Sequence, residues 1–134
     1  MKTIKLFLST MLVFFIIDVI WIGFIARNIY FESVGPLLKR SGDSLDPNWP
    51  AAILVYVFFA IGILVFVVNR ANGNYLKALK FGALLGFVIY GVYDFTNLSL
   101  LADWPLKITL IDLVWGTTLC AIVGVIATWI QKRI

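Results

Sequence analysis

Four long apolar runs restrict what this chain can fold into more than any other feature. They are Leu6–Ala26, Ala51–Val68, Phe81–Leu101 and Ile108–Ile130. A helix needs about 20 residues to cross the hydrocarbon core of a bilayer, and each run approaches or exceeds that length. Strands are set aside as spanning elements, because four of them cannot close a barrel in lipid, whereas single helices satisfy their own backbone. Composition agrees: 62% of the 134 residues are hydrophobic and 13% are charged. A soluble domain of this size needs more polar surface than that. The expectation is an all-α, integral membrane four-helix bundle forming one domain over residues 1–134, a multi-pass protein with membrane lipids around it.

The connections are legible as breaks. Gly35-Pro36, Ser41-Gly42 and Pro47 to Pro50 mark the first as a loop, Asn72-Gly73 marks the second, and Pro105 interrupts the short third. The N-terminal "MKTIKLFLSTMLVFF" resembles a signal peptide, but its apolar stretch continues to Ala26 with no small-residue cleavage pattern, so it reads as an uncleaved span. Lys2, Lys5, Arg70, Lys77, Lys80, Lys132 and Arg133 fall on one side, and Arg27, Lys39, Arg40 and Lys107 on the other. The excess of Lys and Arg places both termini in the cytoplasm. Trp49 and Trp104 then lie at the outer interface, and Tyr75 and Trp129 at the inner one.

Several function classes drop out. The net charge of +4 comes from residues scattered over loops and span ends, which argues for topology rather than nucleic acid. With no His and one Cys, Cys120 within an apolar run, neither a disulfide framework nor a His/Cys zinc site is available. Small residues at helical spacing, Gly82-xxx-Gly86 and Cys120-xxx-Gly124, allow close helix approach. Packing within one bundle is the plainer reading of them, and a homo-oligomer face is the alternative.

The acidic residues divide sharply. Glu32, Asp43, Asp46 and Asp103 lie in the outer connections, while Asp18, Asp94 and Asp112 lie inside spans. From the helical rise, Asp18 and Asp94 are each about 12 Å below the outer ends of their spans, and Asp112 about 8 Å. Tyr56, about 9 Å below Pro50, reaches the same level. Helical spacing puts Trp21 beside Asp18, Tyr90 and Asn97 beside Asp94, and Trp115 and Gly116 beside Asp112. Tyr93 precedes Asp94 directly. These residues predict an outer-half pocket of carboxylates, phenols, indoles and a carboxamide, with a gap at Gly116. No Lys or Arg lies deep in any span, so these are not ordinary buried ion pairs.

Such a set of carboxyl groups needs another source of stability. Burial and mutual repulsion disfavour ionisation, so at least one Asp is expected to be protonated and to donate a hydrogen bond. The alternative is an entering cation: a proton, a positively charged substrate, or a hard metal such as Mg²⁺ or Ca²⁺. Structural glue is the competing explanation, but three carboxyl groups at one level cost more than interhelical bonds of roughly 0.6 kcal/mol return. Asp-x-x-Trp recurs as "DVIW", "DPNW" and "DLVW". The first and last stand in spans of opposite direction, an echo of inverted-repeat transporters resting on only two short words. The outer segment from Ile29 to Arg40 interleaves apolar and charged residues, as an interfacial lid or a simple connector would.

Three functions compete. The first is an intramembrane enzyme or binding protein for a lipid or isoprenoid-like substrate. In it Asp94 is the central acid or base, Asp18 and Asp112 are its partners, and the substrate contacts Trp21, Tyr56, Tyr90, Tyr93, Asn97, Trp115 and Gly116. The second is a proton- or cation-coupled small transporter. The third is a membrane scaffold subunit. No cofactor is named by the residues.

The motifs "DVIWIG", "YDFTNLSLLADWPL" and "DLVWGT" resemble those of the domain of unknown function 2177 family, over essentially the whole chain. Its motif positions correspond here to Asp18, Trp21, Tyr93, Asp94, Thr96, Asn97, Trp104, Pro105, Asp112, Trp115 and Gly116. The resemblance implies four spans and a bacterial cytoplasmic (inner) membrane location. It implies no activity.

Overall fold

The computed structural model describes all residues, 1–134. Helix α1 (Lys2–Ile20) widens into a π-helical turn, Trp21–Ile25, to complete the first span. The short α2 (Arg27–Val34), a 3₁₀ turn (Gly35–Leu37) and a hairpin of β1 (Arg40–Ser41) with β2 (Ser44–Leu45) follow. The second span is α3 (Trp49–Gly62), a π-helical stretch (Ile63–Val68) and the single turn α4 (Asn69–Ala71). The third and fourth are α5 (Tyr75–Leu100) and α6 (Leu106–Gln131). These four spans are long and apolar enough to cross a membrane.

The helices start and stop where local chemistry dictates rather than where hydropathy falls. The third span begins at Tyr75, not Phe81, because the Asn74 side chain caps it by accepting from the Lys77 N–H at 2.9 Å. Asn48 does the same for α3, accepting from Ala51 at 3.2 Å, with Pro50 in the first turn, where its missing N–H costs nothing. Asn72, with φ of 48°, and Gly73, with φ of 76°, make the left-handed turn that ends α4. Polar residues at span ends lower hydropathy without breaking the helix, so the helices outrun the apolar runs. The first loop also contains regular structure: α2, which overlaps the interleaved Ile29–Arg40 segment, and a hairpin that turns at Gly42.

The closest pairing is between α5 and α6. A Cβ built on Gly82 would meet the backbone of Cys120 and Ala121, and one on Gly86 the carbonyl group of Gly116. A Cβ on Gly124 would lie 3.1 Å from the Ala78 carbonyl oxygen. The small residues therefore meet each other inside this bundle, where absent side chains let two backbones touch. Helix α1 packs across both α3 and α6, and the Ile63–Val68 stretch packs on α5 and α6. A core of Leu6, Phe14, Ile63, Val67, Leu119, Val123 and neighbours fills the half of the bundle nearer the chain termini. A separate cluster, Ala26, Tyr30, Val34 and Ile108, pins α2 onto the opposite end, called here the lid end.

Candidate functional site

The lid end is assembled around three carboxyl groups. Asp18, near the end of α1, accepts two side-chain hydrogen bonds from other spans: Oδ2 from the Tyr56 hydroxyl at 2.9 Å, and Oδ1 from Trp115 Nε1 at 3.3 Å. One residue thus ties the first, second and fourth spans together. Trp21, three residues on and so on the same helical face, stacks on Trp115 with ring centroids 4.3 Å apart and an interplanar angle of 8°. The π-helical turn begins at Trp21 itself. Such widenings interrupt the regular ladder and recur at functional sites.

Asp112 is buried on α6 and accepts a hydrogen bond at Oδ1 from the Tyr30 hydroxyl of α2. The same hydroxyl accepts from Trp21 Nε1 at 3.4 Å. Tyr30 is thereby the clasp between α2 and the spans beneath it. Burial, reinforced by the adjacent Asp112 carboxyl, pushes its phenol well above the usual tyrosine range, so Tyr30 stays a neutral donor. Asp94 of α5 is fully buried, and no hydrogen-bond donor reaches either of its carboxyl oxygens. Its side chain faces that of Asp112. With no donor in reach, holding Asp94 there as a bare carboxylate is costly.

A cavity of about 400 Å³ lies among these groups. Its wall carries Asp18, Trp21, Tyr90, Tyr93, Asn97, Asp112 and Trp115, so seven of the residues singled out by sequence converge on one space. No Lys or Arg contributes to it. Three others stand elsewhere. Asp94 sits behind the wall, against Asp112. Tyr56 reaches Asp18 from the far side. Gly116 leaves no gap for a ligand, because the ring of Tyr90 occupies the space over its Cα.

Residues outside that set complete the enclosure. Tyr30, Val34, Leu37 and Leu38 come from the α2 segment, and Leu101 and Trp104 from the α5–α6 connection. Trp104 is fixed by its Nε1–H bond to Thr109 Oγ1 at 3.1 Å and by edge-on contact with Tyr93. The sequence does hint at the α2 contribution. Ala26, Tyr30 and Val34 fall four residues apart, an apolar stripe within a polar loop. No three acidic or cysteine side chains are placed to ligate one metal ion.

These features describe a four-span membrane bundle with an apolar core at one end and a cavity walled by carboxyl groups at the other. The chain belongs to the family described as "Predicted membrane protein (DUF2177)", whose model it matches over residues 3–129. No curated protein and no solved structure shows significant similarity to it.

Proposed function

We propose that this protein binds a lipid or isoprenoid-like molecule in the cavity at its lid end and acts on it by acid–base chemistry. The single observation that carries the proposal is the cavity itself, of about 400 Å³, walled by two carboxyl groups and a stacked indole pair and free of basic residues. A space of that size is in the range of small-molecule sites, and its mostly apolar lining with a few convergent polar groups matches their usual make-up. On this reading the lid end faces outward, both termini are cytoplasmic, and the membrane is the bacterial inner one.

The roles follow from position. Asp112, hydrogen-bonded by Tyr30, is the carboxyl group that meets the ligand, and Asp94 behind it exchanges the proton that the two share. Asp18, held by Tyr56 and Trp115, stands on the other wall as an electrostatic partner. The outward faces of the indole pair, with Tyr90 and Tyr93, present π-density to positive charge on the ligand or developing during reaction. Proton or cation transport is less well supported, because the half of the bundle nearer the termini is filled by the apolar core around Phe14, Ile63 and Leu119.

The test is the lipid profile of cells lacking the gene, with native mass spectrometry of lipids retained by the purified protein. The proposal expects an altered profile, restored by the wild-type gene but not by Asp112→Asn, together with a retained lipid. An unaltered profile under several growth conditions and a protein free of lipid would refute it.

A further inference from the structure

Asp18 belongs to two spaces. On one side is the cavity described above. On the other is a larger one, about 610 Å³, between the first two spans and beneath the hairpin. The two share Asp18, Ile22 and Leu38 as a common wall. The second space is polar where it adjoins the lid, with Lys39, Asn48 and Asp18, and apolar below, with Phe15, Ala52 and Val55. It runs on into a third space, about 140 Å³, whose seven lining residues are all hydrophobic. Phe15, Trp49, Ala52 and Tyr56 line both, so the two form one groove along the α1–α3 seam as far as Met11. From Asp18 to Met11 the helical rise is roughly 10 Å.

A groove charged at one end and apolar along its length fits an amphiphile lying with its tail between two helices. The charges narrow the class. Lys39 and Asp18 have opposite signs and occupy the same space, so the headgroup they suit carries an anion and a cation at separate positions. Beyond Asp18 lies a cavity with a second carboxyl group, Asp112, a stacked indole pair and no Lys or Arg. Aromatic faces combined with carboxylates are the usual recognition chemistry of ammonium groups, whereas a phosphate entering there would meet like charge. An exposed lysine at the level of the lid is placed to take the phosphate.

The geometry points to a zwitterionic phospholipid as the ligand: phosphate on Lys39, ammonium between Asp18 and the Trp21–Trp115 pair, and an acyl chain along Phe15, Ala52 and Met11. This assignment rests on the lipid-binding reading above and specifies its substrate class. Entry is sideways from the bilayer, through the seam between α1 and α3.

The test is a tryptophan-fluorescence titration of the full-length protein, in neutral detergent, with dihexanoyl phosphatidylethanolamine and dihexanoyl phosphatidylglycerol. The two share phosphate and chains and differ in an ethanolamine ammonium against the uncharged diol of glycerol. Phosphatidylethanolamine should bind about tenfold more tightly. Asp18→Asn should bring it down to the phosphatidylglycerol level, and Lys39→Ala, at an exposed position, should weaken both about threefold. Equal binding of the two lipids by the wild-type protein, or tighter binding of phosphatidylglycerol, overturns the headgroup assignment and leaves lipid binding standing. Binding of neither lipid overturns both.

Discussion

The two ends of this bundle are built on different principles. Near the chain termini, Phe14 stacks on Phe59 with centroids 4.2 Å apart, Ile63, Val67, Leu119 and Val123 are fully buried, and glycines bring α5 and α6 into backbone contact. At the lid end the spans surround a cavity and are joined by hydrogen bonds through Asp18, Asp112 and Tyr30. In lipid an apolar side chain gains little by leaving the solvent, since the acyl chains are as apolar as leucine, so close packing has to hold the helices together. The end that packs buries two threonine hydroxyl groups, Thr10 and Thr128, but no carboxyl group. The end that keeps carboxyl groups pays in packing density and leaves room for a ligand. The apolar core and the carboxyl groups are thus placed at opposite ends of the same four helices.

That division can be broken most severely at the glycine seam. Gly86→Leu drives a side chain into the Gly116 carbonyl and should cost about 3 kcal/mol, read in an SDS-unfolding titration of purified protein. If α5 and α6 tolerate leucine there without loss, their close contact is not what holds the packed end. Next in size is Phe14→Ala. It leaves a void among Phe59, Tyr56 and their neighbours, and without the full hydrophobic transfer contribution it should cost about 2 kcal/mol in the same titration.

Changes at the lid end should be small in stability and large in behaviour. Tyr30→Phe removes the clasp on Asp112 at about 1 kcal/mol, but hydrogen exchange across Arg27–Val34 should accelerate while that of α5 and α6 stays unchanged. Uniform acceleration would mean that the lid is not a separate unit. Asp94→Asn should have the smallest stability effect, under about 0.6 kcal/mol, because its amide can donate to Asp112 in place of the proton that the native pair is proposed to share. It should nonetheless fail to restore the lipid profile of a deletion strain. Full complementation by Asp94→Asn would remove proton exchange from the account.

Much of this contrast is written in the sequence. Apolar runs exposed the four spans, and helical rise placed Asp18, Asp94 and Asp112 at one level. Spacing set Trp21 on the helix face of Asp18 and Trp115 on that of Asp112, whereas the Trp115 indole bonds Asp18 across the bundle. What rise and spacing cannot give is rotation of one helix relative to another, so they do not say that Asp94 lies buried off the cavity wall while Asp112 lines it. Gly116 was read as space because a missing side chain looks like a hole; here a ring from the next helix fills it. Tyr30 was hidden for another reason. Its segment is eight residues long and surrounded by charges, and its docking depends on a tertiary partner 82 positions away. Each π-helical stretch has a glycine in it or just before it, Gly23 and Gly62, a signal too common in membrane spans to announce the widening.

The most direct measurement is a crystal structure grown from a lipidic mesophase, in which the protein meets lipid as it crystallises. The account predicts elongated density running from the space between Asp18 and the Trp21–Trp115 pair down the seam beside Phe15, with Asp94 and Asp112 in mutual contact. A filled lid end, in which the three aspartates point to separate helix seams and no density enters between α1 and α3, would contradict it.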